Sequence, residues 1–200
     1  MLAKVGIWVV AAATMVGAYR SSRPEEPSLA ALRAATARFQ DVNVALAEGY
    51  VRDPHNICLT AEMMGQPAGN GAMGIHFFRP DLLGINETGP RVDGQGYHTD
   101  FTRPAVLIYE PQADGALKLV AIENLVFEKS LRVHGKEVPS FAGHRYNYMA
   151  DDPATVADEA HGFAPHYDLH IWLYKKNPAG DFTSFNPAIR CPAPQGTHGS

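Results

Sequence analysis

The residues whose types and spacing could do chemistry are His76, Glu123 and His170. The chain contains nine histidines, and His76, His166 and His170 lie in or beside predicted strands. Glu123 lies in the middle of a predicted strand, where alternation places it on one face with Leu119, Ala121, Leu125 and Phe127. A carboxylate in apolar surroundings costs several kcal/mol unless it is paired, protonated or bound to a cation. Glu123 therefore needs a partner.

Two imidazoles and one carboxylate on neighbouring strands form a sufficient ligand set for zinc, copper or iron, with positions left open for water or substrate. We predict one such metal site, formed by His76, Glu123 and His170, with ligand atoms that converge within about 4 Å of one another. His166 is left out because it would stand about 13 Å from His170 in a straight strand that rises roughly 3.3 Å per residue.

Two alternatives for the same residues stay open. In the first, Glu123 accepts hydrogen bonds from a histidine or tyrosine inside a polar core network, and nothing binds there. In the second, no metal is present, the pKa of Glu123 is raised, and His170 acts as a general acid or base in a small-molecule pocket.

Other common site motifs are absent or out of context. Residues 69–74 (GNGAMG) match G-x-G-x-x-G, but a predicted strand follows them instead of a helix, so we predict no nucleotide cofactor. The chain has no G-x-S-x-G elbow, no H-E-x-x-H and no Walker loop. Its net charge is -4 and its 17 Lys and Arg residues are scattered, which argues against nucleic-acid binding. A small molecule or a metal ion is the expected partner, and the oligomeric state is left open.

A long helix is predicted near the N-terminus. Apolar residues recur at helical spacing between residues 28 and 50, at Leu29, Leu32, Ala35, Phe39, Val42, Leu46 and Tyr50. Ser28 can cap the start, and Gly49 can end the run. We predict one amphipathic helix whose apolar stripe packs on the rest of the protein.

Four segments rich in β-branched and aromatic residues are predicted strands: residues 74–78, 104–110, 117–127 and 167–174. Asp114-Gly115 predicts a hairpin between the second and third. A weaker strand is predicted at residues 144–149 and a short helix at residues 152–159. Glu110, next to Pro111, is predicted to be exposed. The fold class is α+β, with one long helix covering an antiparallel sheet that can curl towards a barrel.

The N-terminus resembles an export signal. Lys4 precedes an apolar run at residues 5–18, which ends with the small residues Val16 and Ala18. This run is shorter than the roughly 20 residues that span a bilayer, so we predict cleavage, with a retained anchor as the alternative. The predicted organisation is a signal peptide at 1–18, a linker at 19–27 and one globular domain at 28–200, exported to the periplasm or secreted and not inserted in a membrane after cleavage.

Export favours a disulfide between the two cysteines, Cys58 and Cys191, because disulfides persist in oxidising compartments. We predict that they form one disulfide, which would tie the C-terminal tail to the segment after the first helix. Two unrelated buried thiols are the alternative.

The stretches GAMGIHF, LIYEP, YDLHIWLYKKNPAGDF and FNPAIRC resemble those of a family of exported, mostly bacterial proteins usually described as hypothetical. The resemblance runs from the first helix to Cys191, and GAMGIHF and LHIW are its most specific parts. In the family's pattern one cysteine follows the helix and another follows the last Asn-Pro turn, which matches Cys58 and Cys191. Asn124 departs from the pattern, because the family carries an aromatic residue after the glutamate that matches Glu123, and this concerns the shape of the neighbouring pocket. The resemblance implies a recurring exported fold and brings no activity.

The leading functional hypothesis is an exported protein with a transition-metal site, in a catalytic or a carrier role. The alternative is a non-enzymatic module that binds a small ligand or a partner through an aromatic-lined pocket of Phe78, Trp172 and Tyr174. A metal-free hydrolase or lyase ranks third, because no nucleophile signature accompanies the histidines.

Overall fold

The computed structural model describes residues 25–53 and 57–192 of the 200-residue chain. The predicted signal peptide at 1–18 and most of the predicted linker at 19–27 lie outside the described residues. So does the end of the predicted domain, from residue 193 onwards.

Within these ranges the α-helices are α1 (Leu29–Thr36), α2 (Val42–Ala47), α3 (Pro80–Leu83) and α4 (Glu128–His134). The strands are β1 (Val51–Arg52), β2 (Leu59–Thr60), β3 (Ala72–Phe78), β4 (Ile85–Glu87), β5 (Asp93–Gly94), β6 (Val106–Pro111), β7 (Leu117–Phe127), β8 (Ser140–Phe141), β9 (His144–Arg145), β10 (Asn147–Met149) and β11 (His166–Ile171). Short 3-10 helices lie at Ala37–Gln40, Glu62–Met64 and Ala68–Asn70.

One antiparallel sheet organises the molecule, with the strand order β1-β3-β6-β7-β11-β10 and with β2 also paired to β3. The α+β class and the antiparallel sheet are confirmed. In the described part of the chain the sheet does not close into a barrel, so the barrel-like closure that the sequence allowed is not found. The predicted hairpin joins β6 to β7, and Gly115 takes the positive φ (83°) that its turn requires.

The long N-terminal helix is not found. Asp41 adopts an extended conformation (φ -89°, ψ 109°) and its side chain accepts a hydrogen bond from the amide of Asn43, so it ends one helical segment and caps α2. Ser28 caps α1 as predicted, accepting from the amide of Ala31. The break at Asp41 rotates the stripe, so that Phe39 is buried whereas Leu46 is exposed.

The sheet carries apolar residues on both faces. The face under α1 and α2 buries Leu107, Ile122 and Ile171, whereas the opposite face buries Val106, Leu125 and Trp172, among others. A β-bulge between β6 and β7 makes Ile108 face Ala121 but Tyr109 face Leu119. The bulge therefore moves Leu119 to the helix-covered face and away from Glu123, contrary to the strict alternation assumed from sequence.

Local structure around the C-terminal half also departs from expectation. Residues 152–159 form turns and bends instead of the predicted helix, and the weak strand at 144–149 is divided into β9 and β10. Glu110 is buried instead of exposed, because the ammonium group of Lys175 bonds both carboxylate oxygens at 2.6 and 2.7 Å. The amide of Arg190 donates to the same carboxylate at 2.9 Å.

Cys58 and Cys191 form the predicted disulfide across 133 residues of sequence. It holds the segment that follows Asn186 and Ile189 against the start of β3, where Asn186 exchanges backbone hydrogen bonds with Ala72. The tail is thus fixed by a covalent bond and by backbone pairing.

Candidate metal centre

Three strands bring His76, Glu123 and His170 together on the face of the sheet away from α1 and α2. Glu123 on β7 lies directly opposite His170 on the neighbouring strand β11. His76 belongs to β3, which β6 separates from β7, so it reaches Glu123 across a strand and not from a neighbouring one as predicted.

The ligand atoms of these three residues converge. Nε2 of His76 lies 3.4 Å from Oε2 of Glu123, and Nε2 of His170 lies 3.5 Å from the same oxygen. One ligand atom from each residue lies within 4.8 Å of the others. Two ligands about 2.0–2.1 Å from a tetrahedral ion stand about 3.3–3.4 Å apart. The spacing of the cluster therefore fits a common cation.

The same distances fit a hydrogen-bonded network poorly. A hydrogen bond from a ring N–H to a carboxylate spans about 2.7–3.2 Å, which is shorter than either contact to Glu123. Among the described residues, Oε2 of Glu123 and both ring nitrogens of His76 and of His170 have no hydrogen-bond partner. Buried polar atoms are almost always partnered, so this group of unpartnered atoms points to a ligand that binds all three side chains.

Burial sets the protonation states. It lowers the pKa of His170 to about 4 despite the attraction of Glu123, and it lowers the pKa of His166 to about 4 as well. Both imidazoles are therefore neutral at pH 7 and keep a lone pair for a metal. Burial acts to raise the pKa of Glu123, but His170 and His76 oppose it, and the net pKa lies below its ordinary value. The cluster thus presents an ionised carboxylate beside neutral nitrogens.

A second group of potential ligands, His161, His166 and Asp168, lies beside the first. One ligand atom from each of the three falls within 4.8 Å of the others, and all three residues are buried. His166 and Asp168 share the inner face of β11 with His170, where alternate residues point the same way. The structure thus places His166 in a different group from His170, as the strand spacing predicted.

Sequence reasoning missed His161 and did not assign Asp168 a ligand role. His161 lies in the turns between β10 and β11, a segment that was predicted to follow a helix. It adopts a positive φ of 42°, a conformation in which histidine is over-represented among non-glycine residues. The pairing of a histidine with Gly162 in an irregular segment was the available signal, and it was too weak to single out one of nine histidines.

Arg91 fixes the loop that carries His161. Its guanidinium contacts the carboxylates of Asp151 and Asp158, the latter at 3.0 Å, and donates to the carbonyl of Phe163 at 3.0 Å. Asp158 in turn accepts a hydrogen bond at its carbonyl from the amide of His161. One side chain thus ties down both sides of the turn that presents His161.

A cavity of about 220 Å³ opens beside His161. Its walls are mainly apolar and include Ile57, Leu59, Met63 and Met64, with Asp53, Asp158 and Gly162 completing the lining. A space of this size next to buried imidazoles could admit a small molecule.

The aromatic face of the alternative hypothesis does not exist as one surface. Phe78 and Trp172 are buried on the site face, and the Trp172 ring stacks on His170 at 6.4 Å. The Tyr174 hydroxyl instead bonds the hydroxyl of Thr36 and the carbonyl of Arg33 at α1. Asn124 also faces away from the cluster, and its side-chain oxygen accepts from the amide of Ala105 at 2.8 Å. Asn124 therefore does not shape the pocket.

The glycines of residues 69–74 have a structural role. A Cβ at Gly71 would lie 2.2 Å from the carbonyl oxygen of Asn186, and one at Gly74 would lie 2.7 Å from that of Tyr109. Both glycines have positive φ; Gly71 directly precedes β3 and Gly74 lies within it. The motif allows close approach of backbones at the start of β3.

Comparisons with protein-family models, with curated proteins and with solved structures found no match to this chain. None of the helices in the described part of the chain has the length and apolar character that a membrane span requires. The functional assignment of the candidate centre therefore rests on the geometry of its residues.

Proposed function

We propose that this is an exported metalloprotein that binds a transition metal ion through His76, Glu123 and His170 and uses it in chemistry on a small molecule. The observation that carries the proposal is the convergence of three buried ligand atoms within 4.8 Å, at contacts of 3.4 and 3.5 Å that are too long for hydrogen bonds.

The donor set favours a transition metal. Imidazole nitrogen suits zinc, copper, iron and nickel, whereas calcium and magnesium prefer sites made of oxygen. Two histidines and one carboxylate occur as ligands of both catalytic zinc and non-haem iron. Such an ion would act as a Lewis acid or activate a bound water.

The surroundings favour a catalytic role over a purely structural one. Structural zinc sites usually have four protein ligands, whereas three protein ligands leave a position for water or substrate. The cavity beside His161 supplies a space from which a small molecule can approach, since the His161 and His76 rings stack 5.6 Å apart.

Export agrees with the disulfide between Cys58 and Cys191, because such bonds persist in oxidising compartments. We also propose that the chain belongs to the family of exported proteins that its sequence resembles. Its two most specific stretches, GAMGIHF and LHIW, contain His76 and His170 respectively.

Metal analysis of protein purified without a histidine tag tests the proposal. The wild type should retain a zinc, copper or iron ion after gel filtration, and His76→Ala and His170→Ala should each lose the ion at this site. His134→Ala is the matched control, because His134 is exposed, bonds to the carbonyl of Gln95 and belongs to neither ligand group. A wild type that binds no transition metal, or variants that bind as well as the control, would overturn the proposal.

A thermal-shift screen separates this proposal from the ligand-binding module. An ion at about 100 times its Kd should stabilise the fold by about 2.7 kcal/mol. Stabilisation by organic ligands and by no divalent transition metal would favour the module.

A further inference from the structure

We infer that a second transition metal ion binds to His161, His166 and Asp168, so that the protein holds two adjacent ions. The inference goes beyond the proposed function and uses none of the ligands of the first site. Either site can therefore fail in experiment without the other.

His166 is already oriented as a ligand. Its Nδ1 lies 2.9 Å from the carbonyl oxygen of Ala164, so Nδ1 carries the proton and Nε2 keeps its lone pair. Metal-bound histidines almost always donate their second nitrogen to a carbonyl or carboxylate in this way. Nε2 of His166 is buried and has no hydrogen-bond partner in the described part of the chain.

Asp168 lacks the partners that a buried carboxylate needs. Its side chain is fully buried, and neither oxygen has a hydrogen-bond partner among the described residues. Nδ1 of His170 lies 3.8 Å from Oδ2 of Asp168, which is too far for a hydrogen bond. A cation bound at its oxygens would supply the missing partner.

His161 completes the second group and connects it to the first. Its ring lies 5.4 Å from that of His166 and 5.6 Å from that of His76, and both of its ring nitrogens are buried and have no hydrogen-bond partner within residues 25–53 and 57–192. Arg91 holds the turn that carries it. The two groups therefore touch through His76 and His161 on one side and through Asp168 and His170 on the other.

Two neighbouring ions suit a substrate with an oxygen that carries or develops negative charge. In two-metal sites one ion can hold that oxygen while the other orients a water or a leaving group. The cavity beside His161 would bring such a molecule, a small ester or carboxylate, to the second ion first.

The test is a count of bound ions. Tag-free protein is stripped of metal with a chelator and reloaded with excess zinc. Unbound zinc is removed by gel filtration, and the bound zinc is measured by inductively coupled plasma mass spectrometry. We expect about two zinc ions per chain in the wild type and one in His166→Gln and in Asp168→Asn. His76→Ala should also keep one ion, held by the second group.

At most one ion in the wild type, or two ions in folded His166→Gln and Asp168→Asn, would overturn the inference. Loss of both ions from these variants, with circular dichroism unchanged, would indicate one shared site and also overturn it. If the variants do not fold, titration of the wild type with cobalt decides. Absorption changes that continue to two equivalents support the second site, and changes that end at one contradict it.

Discussion

Glu123 is the buried carboxylate around which the first ligand group is arranged. Its Oε2 is the atom that both His76 and His170 approach, and it has no hydrogen-bond partner among the described residues. Removing a carboxylate from water costs several kcal/mol unless it is paired or bound to a cation. Removing the charge should therefore weaken metal binding far more than it weakens the metal-free fold.

Glu123→Gln keeps the side-chain volume and removes the charge. We expect the affinity for the first ion to fall by more than about 100-fold. This is a larger effect than is typical for residues that only orient the ligands. The metal-free variant should be only slightly less stable than the metal-free wild type, because a carboxylate with a lowered pKa stabilises the folded state above that pKa. Calorimetric titration and urea unfolding without metal measure the two quantities. Unchanged affinity would show that Glu123 is not a ligand, and a large loss of stability without metal would indicate a purely structural role.

Glu110 shows how a paired carboxylate behaves in the same protein. Burial acts to raise its pKa. Hydrogen bonds from Lys175 and from the amide of Arg190 lower the pKa by more than burial raises it, so the net pKa lies below its ordinary value of 4.5. A carboxylate with a lowered pKa in the folded state stabilises the fold above its unfolded pKa, and this contribution disappears as the pH falls through the folded value.

Glu110→Gln should therefore destabilise the protein by about 1–2 kcal/mol at pH 7 through the loss of charged hydrogen bonds. The difference from the wild type should shrink as the pH falls below 4.5, where the unfolded chain becomes protonated first, and should disappear once the folded carboxylate is protonated as well. Urea unfolding of both proteins between pH 3 and 7 checks this. A difference that stays constant over that range would contradict the assignment.

At the scale of the elements, periodicity predicted the strands better than the helix. The central strands were recognisable because buried strands are rich in β-branched and aromatic residues, and Asp114-Gly115 marked the hairpin. The prediction of one helix over residues 28–50 gave no weight to Asp41, a residue that ends one helical segment and caps the next. A cap inside an apolar stripe is a local signal, and the regular spacing on either side concealed it.

The site was predictable where strands supply it and not where a loop does. His76 and His170 could be predicted as ligands because they are polar residues inside apolar strands. Glu123 could be predicted because it is a carboxylate among apolar residues of a strand. The strand order, which places β6 between His76 and Glu123, cannot be read from spacing along the chain. His161 depends on a turn whose geometry is set by Arg91, a residue far away in sequence.

Arg91→Ala tests whether that turn positions His161. Losing the contacts to Asp158 and to the carbonyl of Phe163 should loosen the loop and weaken the second ion by about 10-fold, as for other residues that orient ligands. The first ion should bind as before. Arg132→Ala is the control, since Arg132 is exposed and pairs with Glu128 on its own helix. Equal affinities for the second ion in all three proteins would contradict the role of Arg91.

At the scale of the whole molecule, one sheet separates two apolar layers, and the ligand clusters lie in only one of them. The helix-covered layer contains Phe39 and Tyr109, whose hydroxyl donates to the carbonyl of Phe39 at 2.7 Å. The other layer surrounds the histidines with Phe78, Phe127 and Trp172, among others. This division supports a rigid sheet that holds the ligands in place before any ion binds.

The disulfide should matter for stability and not for metal binding. Replacing both Cys58 and Cys191 by serine opens a loop of 133 residues, for which the chain-entropy model gives roughly 5 kcal/mol as an upper value. We expect a loss of about 2–5 kcal/mol in urea unfolding, with metal content unchanged below the transition. Loss of metal from the folded double variant would show that the bond also shapes the site.

Anomalous diffraction from crystals of the metal-loaded protein, recorded at the absorption edge of the bound metal, tests the central claim most directly. We predict a peak about 2.0–2.2 Å from Nε2 of His76, Oε2 of Glu123 and Nε2 of His170. It should be absent from crystals of His170→Ala. Full loading with no peak between these three residues, or a peak only at the protein surface, would contradict it.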